Sequence, residues 1–140
     1  MEDHRLRSRD LERLAAVRPL LLDLHRELLA AARADLERFA GRLTAAEFLQ
    51  IATDGLRLAW LSPLSELIVE IDEALEAEGA DVAEAPSADD AQALIDRARA
   101  LVAPPSSETP FGRRYVVMLQ QSPAVVMAHS ALLQRLPSQP

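Results

Sequence analysis

From residue 11 to residue 36 apolar side chains return every three or four positions, as Leu11, Leu14, Val17, Leu21, Leu24, Leu28, Ala32 and Leu36, with Phe39 a turn further on. That spacing follows the 3.6-residue turn of an α-helix and lays one apolar stripe along it. Ser8 or Asp10 offers an N-cap, and Gly41 offers a stop. Pro19 interrupts the run. It removes a backbone donor and crowds the preceding turn, so the pattern predicts either one long kinked helix or two, the second with Pro19 in its first turn. Leu20, Leu21, Leu22 and Leu24 cover nearly every side of this helix. A helix apolar all round is central, or it meets another subunit.

Further along, Thr44-Ala-Ala-Glu47 has the spacing of a capping box and predicts a short helix through about Thr53, ended by Gly55. Ser62-Pro63 predicts another start, with serine as the cap and proline at the first helical position, where its missing N–H costs nothing. Leu64, Leu67, Ile68, Ile71 and Leu75 form the stripe of that helix, which runs to Gly79. Residues 80–87 read as a connector, and Ser87-Ala-Asp-Asp90 opens a helix whose stripe is Ala91, Leu94, Ile95, Ala98, Leu101 and Val102. Pro104-Pro105 stops it, and 104–110 reads as a second loop. Two closing helices follow, over FGRRYVVMLQQ and, from Ser122-Pro123, over AVVMAHSALLQRL.

Composition strengthens this picture. Aromatic residues make up 4% of the 140 residues, and alanine and leucine, the strongest helix formers, dominate. The expected fold is all-α, a compact bundle of about five to six helices forming one domain over 1–140, with residues 1–8 as an arm prone to fraying. A domain of this size buries roughly 68–70% of its unfolded surface and needs no staple. Cysteine is absent, which removes disulfides, thiolate metal sites and a cysteine nucleophile. The N-terminus is charged without an apolar core, and no apolar run approaches the ~18 residues of a membrane span, so a cytoplasmic protein that does not engage membranes is expected. Lysine and asparagine are absent and every basic side chain is arginine, a bias that fits a GC-rich bacterial genome.

Charge is unevenly placed. Residues 1–42 carry +1, residues 43–110 carry −11 and residues 111–140 carry +3. The excess is greatest on the helix expected over 63–78, where Glu66, Glu70 and Glu73 line one side with Asp72, Glu76 and Glu78 beside them. Like charges at i, i+4 weaken a helix by a few tenths of a kcal/mol each, so something should compensate. Either Arg113, Arg114 and Arg135 pair with this face, or it is a solvated docking face for a basic partner, steered electrostatically. The acidic middle argues against nucleic acid, whose phosphates it repels. At Phe111-Gly112-Arg113-Arg114 a helix start and two guanidinium groups suggest an anion site, against which stands simple internal ion pairing.

No motif for catalysis survives. The glycines, at 41, 55, 79 and 112, lie too far apart for a phosphate-binding loop or a nucleophile elbow. His25 falls among Leu21, Leu24, Leu28 and Leu29, and His129 among Val125, Val126, Leu132 and Leu133, so both imidazoles lie on apolar faces. Residues three before them are Leu22 and Val126, not the glutamate of a di-iron helix, and no metal site is expected. Ser130 is no catalytic partner of His129, because adjacent helical residues diverge by about 100°. If the two histidines faced each other they would form a haem ligand pair or a pH-sensitive pair; otherwise they are core histidines bonded to carbonyls or to Ser or Tyr hydroxyls. Met118 and Met127 read as core filler.

Three stretches, LHRELLAAARADLERFAGRLTAAEFLQ, AWLSPLSELIVEIDEAL and FGRRYVVMLQQSPAVVMAHSALL, together resemble a group of small, uncharacterised bacterial all-helical proteins. Gly55-Leu56-Arg57-Leu58, ahead of Ala59-Trp60, departs from a more aromatic version of that segment. The resemblance implies a self-standing bacterial helical protein and assigns no functional residue.

The expected function is accordingly a non-enzymatic interaction module. It self-associates, through apolar surface around Leu20–Leu24 or Trp60-Leu61, or docks a basic partner on Glu66, Glu70 and Glu73, or both. Trp60, the sole tryptophan, is either an interface anchor or ordinary core. The alternative is a ligand- or haem-binding sensor bundle built on His25 and His129. Enzyme chemistry would require carboxylates such as Asp23, Glu27 or Asp72 gathered in a cleft.

Overall fold

A computed structural model describes residues 2–54, 57–77 and 88–136. Among them are six α-helices and no strand: α1 (Glu2–Ala40), α2 (Ala45–Asp54), α3 (Ser62–Ala77), α4 (Ala88–Val102), α5 (Pro110–Gln121) and α6 (Pro123–Arg135), with a 3-10 turn at Ala59–Leu61 leading into α3. The all-α bundle expected from the periodicity is what the chain forms. Gly55, Gly79 and the connector 80–87 lie outside the described residues.

The 39-residue α1 is the spine, and α6, α4, α3 and, more briefly, α5 pack along it. It is a single helix from Glu2, so residues 2–8 continue it and neither Ser8 nor Asp10 caps it. The stretch EDHRLRSRD contains no glycine or proline, and its first acids suit the positive end of the helix dipole. Pro19 does not divide the helix either. Both Pro19 and Ala15, whose carbonyl loses its donor, are on the exposed side, so water can satisfy the orphan while the stripe passes unbroken from Val17 to Leu21.

The stripe itself is the core. Leu11, Leu14, Val17, Leu21, Leu24, Leu28 and Ala32 are buried against Leu64, Leu67, Ile71, Ala91, Ile95, Ala98, Met118, Val125 and Leu132. Fully burying each large aliphatic side chain contributes about 1.5–3 kcal/mol. Phe39 departs from expectation, being 89% exposed: the end of α1 outruns the helices that cover it. Met127 also departs, at 74% exposed, whereas Met118 is buried.

Local signals decide most boundaries. Gly41 takes φ +82, a left-handed conformation that ends α1, and its N–H closes on the Glu37 carbonyl at 3.0 Å. The capping box forms in both directions: Glu47 N–H donates to Thr44 Oγ1, and Thr44 N–H to Glu47 Oε1, each at 3.1 Å. The Thr44 backbone N–H, with the Thr44 hydroxyl beside it, holds the Glu47 carboxyl below its ordinary pKa. Ser122 caps α6 through the Val125 N–H, with Pro123 at the first position. Ser62, by contrast, is already helical at φ −51, ψ −42 and caps nothing. The 3-10 turn supplies what a cap would, because the N–H groups of Leu61 and Ser62 bond to the carbonyls of Leu58 and Ala59. The second loop lies one residue earlier than expected, at 103–109: α4 ends at Val102, Thr109 caps α5 and Pro110 is its first residue.

Candidate functional site

The acidic face lies on α3. Arg18 pairs with Asp72 and His25 with Ser65, so numbers rise on one helix as they fall on the other, and α1 and α3 run antiparallel. Along α3, Ser65, Glu66, Val69, Glu70 and Glu73 line a shallow groove of about 430 Å³. Val69, which lines it, is 54% exposed. Compensation for the like charges comes from residues other than those expected: Arg97 of α4 reaches Glu70 at 2.5 Å, and Arg18 of α1 reaches Asp72. Arg113 instead donates to the carbonyls of Ser107 and Glu108 at 3.4 Å, and Arg114 faces Asp35 at 3.9 Å. Sequence spacing could not reveal this, because the partners are set by which helices pack together. Glu66 and Glu73 have no ion pair or hydrogen bond among the described residues. Glu78 lies outside those residues.

The two histidines are half-buried and held by different helices. Ser65 Oγ donates to the Leu61 carbonyl at 3.3 Å, which leaves Ser65 Oγ to accept from His25 Nε2–H at 2.8 Å. Tyr115 is fully buried, and burial pushes its phenol pKa far upward, so it keeps its proton and donates it to His129 Nδ1 at 2.6 Å. Both imidazoles are thereby satisfied by hydroxyls, and desolvation lowers both pKa values. They stand as separate hydroxyl pairs, one between α1 and α3 and one between α5 and α6. Ser130 is exposed and takes no part.

Tyr115 also belongs to an aromatic row that sequence inspection missed. Trp60, Phe111, Tyr115 and His129 follow one another with ring centroids 6.1, 5.3 and 5.5 Å apart. Phe111 and Tyr115 are a legible i, i+4 pair, but Trp60 joins them only through the fold. Trp60 is 8% exposed, so it is core, and Leu61 is buried with it. Of the leucines at 20–24, Leu21 and Leu24 are buried and Leu20 packs on the core, while Leu22 stands at the surface. The large exposed apolar side chains are elsewhere, chiefly Phe39, Leu49, Val69 and Met127.

A second concave site joins α1, the 3-10 turn and α5. Ala32, Leu36, Leu58 and Trp60 form its apolar walls, and Arg57 and Arg114 its basic ones, around about 550 Å³. Arg114 lines this site together with Arg57, and Arg113, its neighbour in sequence, does not. Helix geometry explains the difference, since neighbouring residues on α5 point about 100° apart.

Asp23 pairs with Arg26 and Asp72 with Arg18, so these carboxylates are not gathered in one cleft. Among the described residues no three His, Asp or Glu side chains converge as a metal ion requires. No single described helix is long and apolar enough to cross a membrane. The chain matches no family model, no curated protein and no solved structure.

Proposed function

We propose that this protein is a non-enzymatic interaction module that receives a basic, amphipathic segment of a partner protein on the outer face of α3. One observation carries the reading: the exposed apolar side chain of Val69 shares a groove with Glu66 and Glu73, two carboxylates with no ion pair among the described residues. Retained like charges at i, i+4 and i, i+3 cost helix stability, and a basic partner would repay that cost on binding. The net charge of −7 adds long-range attraction for such a partner.

The test is a labelled synthetic peptide, helical, with arginines flanking a leucine stripe, followed by fluorescence anisotropy. Binding should weaken steeply with salt and fall at least tenfold in Glu66→Arg/Glu73→Arg, while Glu12→Arg, an exposed acid on α1, should match the parent. Equal binding by the double variant would refute the reading.

Self-association is the second reading, and its support has moved from Leu20–Leu24 and Trp60 to Phe39 and Leu49, which are 89% and 64% exposed. The helix bearing Leu49, α2, has no extensive packing partner among the other helices. It is held to α1 by Arg33, whose guanidinium lies 5.4 Å from the Phe48 ring centroid and donates to the Leu43 carbonyl at 2.6 Å. Sedimentation of the parent against Phe39→Ser/Leu49→Ser tests it, and a parent that is monomeric at micromolar concentration would remove it.

A further inference from the structure

We infer that the pocket between α1, the 3-10 turn and α5 binds a small organic monocarboxylate with an apolar body. Its two halves are chemically distinct. Ala32, Leu36 and Leu58 offer only aliphatic surface, while Arg57 and Arg114 bring two guanidinium groups to the same space. Arg57 is exposed and has no acidic partner among the described residues. Arg114 is engaged only loosely: Asp35 is 3.9 Å away, and the guanidinium carbon lies 5.9 Å from the Trp60 ring centroid. A guanidinium held over an aromatic face at this distance keeps its N–H fork available to a carboxylate. The indole N–H of Trp60, a residue of the same pocket wall, is buried with no acceptor. Leaving such a group unsatisfied is costly, so a donor of this kind usually has a reason.

Size and charge narrow the ligand. A volume of about 550 Å³ lies within the range of small-molecule sites, roughly 300–1,000 Å³, and its lining joins apolar surface to convergent polar groups, as a ligand with one charged end requires. A phosphate would be poorly served. Pro110, at the start of α5, has no N–H, and the Gly112 N–H is already given to Thr109 Oγ1 at 3.0 Å, so the helix start offers no cradle. The overall charge of −7 opposes anions at long range, which leaves binding to these two arginines and the apolar floor. A single carboxylate on an alkyl or aryl body uses both halves at least electrostatic cost.

Octanoate and 3-phenylpropionate are suitable probes, with octanamide and inorganic phosphate as comparisons. Trp60 is the sole tryptophan, so its fluorescence and its single indole 1H–15N resonance both report from the pocket wall. A saturable change with either carboxylate at sub-millimolar concentration is expected. Arg57→Gln should weaken binding about tenfold, as loss of a charge-assisted contact does, and Arg114→Gln similarly. Octanamide and phosphate should each bind at least tenfold more weakly. Arg57 is exposed and belongs to no core cluster, so the variant should fold, which circular dichroism will check. The inference is overturned if neither carboxylate gives a saturable response, if Arg57→Gln binds as tightly as the parent, or if phosphate binds as well as octanoate. None of these outcomes depends on the face of α3, whose charge-reversal variant should bind octanoate normally.

Discussion

Replacing a helix-interior glycine with alanine normally stabilises by about 1 kcal/mol, because the backbone loses less freedom on folding. At Gly112 the sign should reverse. A Cβ built there would lie 1.6 Å from the Ser106 carbonyl oxygen, 2.6 Å from its carbon and 2.9 Å from its nitrogen. All three are backbone atoms, so no side-chain rotation relieves the clash. Ordinary C···O contact begins near 3.3 Å, so the 106–109 loop and the start of α5 must separate by more than 1 Å. That movement breaks into a small bonded unit: Gly112 N–H to Thr109 Oγ1 at 3.0 Å, Thr109 Oγ1–H to the Ser106 carbonyl at 3.3 Å, and Glu108 N–H to Ser106 Oγ at 3.1 Å. Loss of the cap costs about 1 kcal/mol and overpacking about 1–3 kcal/mol, against a propensity gain of about 1 kcal/mol. The net expectation for Gly112→Ala is a loss of about 1–3 kcal/mol. At roughly 4 °C per kcal/mol for a domain of this size, the midpoint should fall by about 4–12 °C in a calorimetric or circular-dichroism melt. An unchanged or raised Tm would refute the argument, since it would mean that the loop does not press on α5.

Four other outcomes follow. Thr44→Ala should destabilise by about 1 kcal/mol in urea, through loss of the cap on α2. Because the Glu47 pKa is lowered in the folded state, its capping contribution is present above the ordinary carboxylate value and lost as pH falls through the folded one; the Thr44 amide resonance should follow that titration. His25 and His129 are also lowered, by burial, so the unfolded chain binds more protons and stability should decline as pH falls past the ordinary 6.5; His25→Gln/His129→Gln should flatten that slope in urea midpoints. Tyr115→Phe should cost about 1 kcal/mol by urea unfolding and let the His129 pKa rise in an NMR titration, as the neutral ring loses the donor at Nδ1.

Periodicity alone was enough to state that the chain is helical and which faces are buried. Leu11 to Ala32, Leu64 to Ile71 and Ala91 to Val102 are core because a 3.6-residue repeat leaves a helix one place to put its apolar side. Local chemistry likewise announced Gly41, the Thr44–Glu47 box and the Ser122 cap, since each involves residues within four positions of one another. Where such signals failed, packing had overruled them. Pro19 stayed inside a helix because its orphan carbonyl faces outward, and Ser62 lost its capping role to the turn before it.

What the sequence by itself determined, then, is the secondary structure, the core stripe and the existence of an acidic face, all of which depend on near neighbours along the chain. Only the tertiary structure decided which charges are spent and which remain. Asp72 is answered by Arg18 and Glu70 by Arg97, across 54 and 27 residues, whereas Glu66 and Glu73 are left over. In the same way Arg57 and Arg114 share a pocket, and each histidine finds a hydroxyl on another helix. A one-dimensional pattern fixes the azimuth of a side chain on its own helix, but its partner depends on how two helices are set against each other. That setting comes from the sum of all core contacts and is written in no single stretch of sequence.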